Sequence, residues 1–373
     1  MTAGRLLPLL AGLFTLVALA FSPGGEARWF DGGAGSLLLA LVPVFLLLAF
    51  WQRGSKAWRG LVYVIVGGIA VFGLLNLLQA GAAGAAGLGF WLYGLGVWAA
   101  VWHGVDCLSK AEIASAGWRR GRDLLVPTLF GIWLLVVWEL LCRGFGIPQV
   151  LLPAPSVIGE RIGNSSAMLW ADFQQTFLKA VLVGYAIGCG SAFLTAILVD
   201  RVPFLRRGLL PMGNVISALP IVGTAPIMVM WFGFDWPSKA AVVVIMTFFP
   251  MLVNTVMGLS ASGHLERDLM RSYAAGYWQT LIKLRLPMAL PFIFNALKIN
   301  STLALIGAIV AEFFGTPIVG MGFRISTEVG RMNLDTVWAE IAVAAVAGSA
   351  FYGLVALIER GLTSWHPSYR QRS

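Results

Sequence analysis

Ten times along this chain an apolar run lasts about as long as a bilayer's hydrocarbon core is thick. A helix crossing that core needs about 20 mostly apolar residues. Runs of that order fall at 6–21, 34–51, 61–78, 88–106, 124–142, 177–199, 210–232, 239–259, 292–312 and 336–358. None shows the sustained alternation and regular turns that a membrane β-barrel requires. A helix satisfies its backbone groups internally, as hydrocarbon demands. The pattern therefore predicts an all-α, polytopic membrane protein with about ten transmembrane helices. Composition agrees, with 58% hydrophobic and only 12% charged residues, against about 25% charged in soluble domains. A soluble enzyme is excluded.

The net charge of +9 raises the question of nucleic acid, but the placement of the positive charges answers it. If the N-terminus is inside and the spans alternate, the first inner segments hold Arg5, then Arg53, Lys56 and Arg59, then Lys110, Arg119, Arg120 and Arg122. The later ones hold Arg201, Arg206 and Arg207, then Arg267, Arg271, Lys283, Arg285 and Lys298, then Arg360, Arg370 and Arg372. These are nineteen of the 26 Lys and Arg; Arg28, Arg143, Arg161, Lys179, Lys239, Arg324 and Arg331 fall on or near the outer side. This is the positive-inside asymmetry, and it predicts both termini in the cytoplasm. The basic excess is a topology signal, and no nucleic-acid partner is expected. The first run, with Arg5 ahead of it and Ala18-Leu19-Ala20 at its end, also fits a cleavable signal peptide. Cleavage there would leave the remaining topology unchanged.

Organisation changes part-way along. Residues 1–108 form a four-span extension, with Gly81, Gly84 and Gly87 recurring in a small-residue stretch that reads either as close helix packing or as an outer loop. Residues 109–123 are polar and basic and read as a cytoplasmic linker, and 124–373 form a six-span core. Catalytic chemistry is not in view. The chain has no G-x-x-x-x-G-K-[ST] loop, G-x-S-x-G elbow or H-E-x-x-H pair. Cys107, Cys142 and Cys189 are too scattered for a disulfide framework, and His103, His264 and His366 show no metal spacing. No catalytic residue, metal or cofactor is expected, so any ATP must be bound by a partner subunit.

The loop at 260–291 is far longer than two spans need to be joined. Leu269, Tyr273, Tyr277 and Leu281 recur every four residues, predicting one helix over 268–281 that Asp268 opens in keeping with the helix dipole. Pro287 and Pro291 are expected to break the helix and return the chain to the membrane. Such a helix either docks a soluble partner or lies flat on the lipid.

This segment, Glu266 to Lys298, resembles the coupling loop of type I ABC-importer permeases, whose pattern is Glu-Ala-Ala, three residues, Gly, and a later Leu-Pro. Aligned on Leu286-Pro287, Asp268 stands at the Glu position, Leu269 and Met270 at the Ala positions, and Ala274 at the Gly position. Further segments resemble the family in order. They are Leu151–Ser156 followed by Gln175-Thr176; Ala218-Leu219-Pro220 to Asp235; and Phe249-Pro250 with Asn254, Thr255 and Gly258. Ala311-Glu312 with Gly320-Met321-Gly322 comes next, and the Trp365-His366-Pro367-Ser368-Tyr369 tail is similar to the nitrate/sulfonate/taurine-like branch. Together they span roughly 124–370.

The resemblance implies a permease core of six helices in a bacterial inner (plasma) membrane, carrying four added N-terminal helices. It implies ABC ATPase subunits beneath, a periplasmic or lipid-anchored solute-binding protein above, and a second permease copy, in a homodimer surrounded by membrane lipid. ATP-driven closure of the ATPases would tilt the bundle by pushing on a coupling helix at about 268–279. On this reading Asp268 and Arg271 are polar docking contacts and Tyr273, Ala274 and Ala275 the packed face, with Ser272, Gly276 and Pro287 completing the segment. Candidate pathway residues are Thr176, Pro220, Pro226, Asn254, Asn295, Asn300 and Glu312. Each has a plainer reading: Thr176 as a helix N-cap, Pro220 and Pro226 as kinks, the Asn residues as interhelical hydrogen-bonders, Glu312 in a salt bridge. Glu139 is read as solvated or paired with Arg143. Small anions or small organic solutes are the expected cargo. The competing functions are an ion-coupled carrier without an ATPase and a membrane-embedded enzyme. The enzyme would need titratable residues converging from several helices, which the spacing does not show.

Overall fold

The structure, a computed structural model, describes residues 3–24, 29, 32–51, 54–80, 86–112, 116–217, 220–315 and 318–365. Gly81, Gly84, Ala218, Leu219 and 366–369 lie outside these, as do Arg28, Arg53, Arg370 and Arg372. Among the described residues the regular structure is helical, apart from one isolated bridge pairing Gly24 with Ala86. Contacts divide the chain into two compact units, Met1–Ile158 and Gly159–Ser373.

The first unit holds α1 (Ala3–Ala18), α2 (Gly32–Phe50), α3 (Lys56–Ala80), α4 (Leu88–Ser109) and α5 (Ala116–Gly144), and the unit boundary falls within α6 (Pro155–Asn164). Glycine sets how closely α4 meets its neighbours. A Cβ on Gly96 would lie 2.7 Å from the Thr15 side chain of α1, and one on Gly60 of α3 would lie 2.7 Å from the Gly104 carbonyl of α4. Buried phenols need hydrogen-bond partners, and α2 supplies them. Tyr63 donates to the Leu48 carbonyl at 2.6 Å and Tyr93 to that of Leu38 at 2.8 Å. Contacts group α5 with α1–α4, although much of its surface is open: Leu124 is 73% and Phe130 60% exposed. Glu139 is paired rather than solvated. It holds Arg143 and accepts from the Ser156 amide at 2.9 Å and hydroxyl at 2.7 Å, tying the start of α6 to α5.

In the second unit α7 (Ser166–Phe173), a π-helical stretch (Gln174–Val181) and α8 (Leu182–Arg201) form one unbroken helix of 36 residues. Then come α9 (Pro203–Ser217), α10 (Ile221–Phe232), α11 (Trp236–Ser260), α12 (His264–Ser272) and α13 (Tyr277–Thr280). A second π-helical stretch (Leu281–Arg285) leads into α14 (Leu286–Glu312), followed by α15 (Met321–Gly330) and α16 (Leu334–Thr363). The expected breaks at Pro287 and Pro291 do not form. The helix runs from Tyr277 to Glu312 with Pro287 in its interior, and the π-helical widening lies just ahead of that proline, whose ring and missing N–H disturb the ordinary ladder.

Among the described residues each of the ten apolar runs is largely helical, and eight helices, Gly33–Phe50 through Leu334–Thr363, are long and apolar enough to cross a membrane; Leu6–Ala18 and Ile221–Phe232 are shorter. The run at 210–232 is divided between α9 and α10, with Pro220 capping the latter.

The centre of the second unit is a seam of small residues. Gly184, Gly188, Ala192 and Ala196 recur every four positions and are buried along one face of α8. Without a hydrophobic driving force between helices in lipid, such residues gain stability by letting backbones approach. A Cβ on Gly184 would lie 2.7 Å from the Ala240 carbonyl of α11, and one on Gly188 would collide with Thr247. Asn300 of α14 donates across the same seam to the Thr247 carbonyl at 2.8 Å and to Cys189 of α8 at 3.2 Å. Gly188→Val should therefore lower stability by about 3 kcal/mol through overpacking. Gly190→Ala, whose added methyl meets open space, should change it little. Thermal unfolding of both variants in detergent checks this.

Candidate functional site

The segment expected to form one helix over 268–281 is two. Helix α12 begins at His264, four residues earlier than expected, and stops at Ser272; α13 starts at Tyr277. The turn between them is a Schellman motif. The Ala275 amide donates to the Met270 carbonyl at 3.0 Å and the Ala274 amide to that of Arg271 at 2.9 Å. Such a motif needs a left-handed residue after the cap, and Ala274 takes it with φ 52°. That position is where the family pattern has glycine, so the loss of glycine strains the turn without changing its geometry.

Nothing on α12 is buried. Asp268 and Arg271 form an ion pair at 3.3 Å whose side chains are 66% and 81% exposed, while Leu269 and Tyr273 point outward. Ser272 bonds its own helix at the Leu269 carbonyl, and Gly276 caps α13 with its amide donating to Gln279 at 3.1 Å. The regular stripe of Leu269, Tyr273, Tyr277 and Leu281 is therefore split by the turn: Leu281 is core, Leu269 and Tyr273 are surface. The base is anchored. Arg267 donates to the Ser260 carbonyl at 3.0 Å, and Arg285 donates to that of Leu259 at 2.9 Å. Guanidinium groups at the end of α11 satisfy carbonyls that the helix leaves open.

At the opposite end of these helices lies a buried polar cluster. Glu312 accepts from the Thr176 hydroxyl at 2.8 Å and the Gly322 amide at 2.7 Å, and Thr176 in turn accepts from the Met321 amide at 2.8 Å. Asp172, wholly buried, accepts from the Gly320 amide at 2.6 Å and from Arg324 at 2.9 Å. The Gly-Met-Gly element is thereby explained. Gly320 has φ 143°, and a Cβ on it would sit 2.8 Å from the Glu312 carboxyl; one on Gly322 would strike the Ile309 carbonyl. Lys239 of α11 donates to the Phe234 carbonyl at 2.6 Å and to that of Gly315. Glu340 of α16 lies against Asp172, with neither oxygen receiving a donor. Just ahead of α11, Asp235 accepts from the Trp236 amide at 2.7 Å and from Gln175 at 2.6 Å. Those bonds hold its carboxyl below the usual carboxylate range.

Of the candidate pathway residues, the structure brings together Thr176 and Glu312. Thr176 lies inside a continuous helix rather than at an N-cap. Asn254 bonds the Pro250 carbonyl of its own helix at 2.8 Å. Asn295 is exposed, Asn300 is buried in the seam, and Pro226 is inside α10. Titratable residues do converge from several helices, contrary to the sequence expectation. Asp172, Lys239, Arg324 and Glu340 were missed because each sits at a helix end far from the others in sequence. For Lys239 and Glu340 a charged residue just inside the apolar runs at 239–259 and 336–358 is the signal; Asp172 and Arg324 lie outside every run.

Ala274→Gly should relieve the left-handed strain and stabilise the α12–α13 turn by about 1 kcal/mol. Slower amide exchange across 264–276 is the expected measurement.

Comparison with known proteins places this geometry. The signature of binding-protein-dependent transport system inner membrane components matches residues 184–364, which include α12, the turn, and most of the buried polar cluster. The formylaminopyrimidine transport permease protein of Halalkalibacterium halodurans is 31% identical over 247 residues, 66% of this chain and 98% of its own length. The riboflavin transport system permease protein of Chloroflexus aurantiacus is 31% identical over 240 residues, 63% of this chain and 88% of its own. The taurine transport system permease protein of Escherichia coli is 26% identical over 247 residues, 62% of this chain and 86% of its own. An ATPase-independent carrier and a membrane enzyme are thereby set aside, and ATPase and binding-protein partners follow from the family. This chain belongs to the ABC-importer permeases, the non-enzymatic, multi-pass membrane components of binding-protein-dependent transport systems.

Proposed function

We propose that α12 is the surface on which the partner ATPase docks, and that ATP bound and hydrolysed there drives alternating access in this chain. The observation that carries this reading is the nine-residue helix with no buried side chain. It stands proud of the membrane-spanning bundle yet is held at its base by Arg267 and Arg285. A lone amphipathic helix would not need such bracing to lie on lipid. Asp268 and Arg271 would meet the ATPase groove, with Leu269, Tyr273 and Ala274 as the apolar contacts. The chain itself would bind no nucleotide.

On the same reading the helix ends carrying α12 and the basic loops face the cytoplasm, as do both termini, in a bacterial inner membrane. A second copy of the permease completes the pathway as a homodimer, and a periplasmic or lipid-anchored binding protein delivers cargo. Relatives named for formylaminopyrimidine, riboflavin and taurine transport support a small organic solute or small anion as cargo. Asn254, Asn295, Pro220 and Pro226 are assigned to the route. Thr176 and Glu312, being buried and bonded to each other, are assigned to holding the outer loop closed over the helices. The added α1–α4 would form a separate membrane module.

The docking role is tested by Asp268→Lys combined with Arg271→Glu. This keeps an intrahelical pair but inverts the charge that a partner meets, and co-purification of the ATPase encoded with this chain should weaken at least about tenfold. Unchanged association together with unchanged ATP-driven uptake would show that docking lies elsewhere.

A further inference from the structure

One guanidinium joins three helices at the inner end of the second unit. Arg285, the last residue of the second π-helical stretch, donates Nη1 and Nη2 to Asp200 Oδ2 and Oδ1 at 2.7 and 2.6 Å. Its Nε donates to the Leu259 carbonyl at 2.9 Å. Asp200 lies in the last turn of α8 and Leu259 in the last turn of α11, while Arg285 leads directly into α14. The Tyr277 hydroxyl adds a bond to Asp200 Oδ2 at 3.0 Å, and the Arg201 guanidinium lies 5.5 Å from the Tyr277 ring and 5.9 Å from that of Trp278. The ion pair is shielded, with side chains 14% and 4% exposed, so salt screens it little. Its two-pronged geometry fixes orientation as well as distance.

The position of this joint gives it a consequence. Only residues 273–276 separate it from α12, and their hydrogen-bonded turn leaves little slack. A push on α12 therefore reaches Tyr277 and Arg285 without being absorbed, and from there it meets α8 and α11 through hydrogen bonds and α14 through the helix itself. The π-helical stretch at 281–285 joins α13 to α14 within one continuous helix; such stretches are frequent at functional sites.

We propose that Arg285, with Asp200 and Tyr277, is the positioning joint that makes the inner ends of α8, α11 and α14 move as one body with the coupling segment during transport. The proposal rests on the docking role of α12. An ion pair that served folding alone would matter equally with and without nucleotide. A joint matters specifically when the ATPase closes.

The three native cysteines are buried, so cysteines introduced at Leu265 of α12, 85% exposed and outside the proposed docking contacts, and at Leu198 of α8, 57% exposed, can carry spin labels. Their separation is measured by double electron–electron resonance in the permease–ATPase complex in nanodiscs, nucleotide-free and trapped with ATP and vanadate. Labelled permease is diluted with unlabelled copies. Otherwise wild-type protein should give one narrow distance unchanged by trapping. Arg285→Gln, in complexes of normal ATPase stoichiometry and matched melting temperature, should give a trapped distribution that shifts or broadens. Asp200→Arg with Arg285→Asp should narrow it again. Should Arg285→Gln not assemble, Arg285→Lys carries the same expectation, since a lysine keeps the charge but loses the fork and the Leu259 bond. A distance that moves on trapping in the wild-type background overturns the proposal, as does an assembled Arg285 variant indistinguishable from wild type. If the ATPase does not bind the wild-type chain at all, the docking reading fails first, and the joint fails with it.

Discussion

The close approach of α8 to α11 is the contact on which the second unit depends. Lipid offers helices no hydrophobic reason to associate, so dispersion contacts and hydrogen bonds must suffice, and both require short distances. Gly184, Gly188, Ala192 and Ala196 provide them along one face. Asn300 then adds polar contacts to Thr247 and Cys189 that only a close seam permits. A larger residue at Gly188 would separate the backbones and remove those contacts together.

On either side of this apolar seam the helices are joined by buried polar groups. At one end Asp200, Arg285, Tyr277 and Arg267 tie α8 and α11 to α12 and α13. At the other, Asp172, Thr176, Glu312, Lys239 and Arg324 hold the loop before α15 against three helices. Charged groups away from water are generally kept where partners satisfy them, and these two sites supply such partners to all of these but not to Glu340. The middle of the bundle is left to small apolar residues, which suits a body that tilts as a unit more than one that deforms within.

Much of this was legible in the residues. The ten apolar runs follow from hydropathy, because a span must bury its whole length in hydrocarbon, and among the described residues eight of them fold as helices long enough to cross. The segment of α12 and α13 could be placed because a long polar loop with its own helical pattern stands out between spans. Its internal break could not. The four-residue stripe at Leu269, Tyr273, Tyr277 and Leu281 suits one helix, and the left-handed turn at Ala274 carries no glycine to announce it. Pro287 and Pro291 misled in the opposite sense, since tertiary packing and a π-helical widening let the helix continue through both. Glu312 was visible as an acid beside a Gly-Met-Gly element. The other charged residues of its cluster, Asp172, Lys239, Arg324 and Glu340, were not, because they come from α7, α11, α15 and α16 and no local spacing links them.

The amino-acid sequence by itself determined that this chain is helical and membrane-spanning, and where its long polar loop falls. These properties depend on local composition and period, which a linear reading contains. Only the tertiary structure decided which scarce charges face one another, that Asp268 and Arg271 stand exposed, and that Arg285 reaches Asp200 across 85 residues. Those pairings depend on how the helices pack. That packing is set by the summed fit of many small residues, which no single segment records.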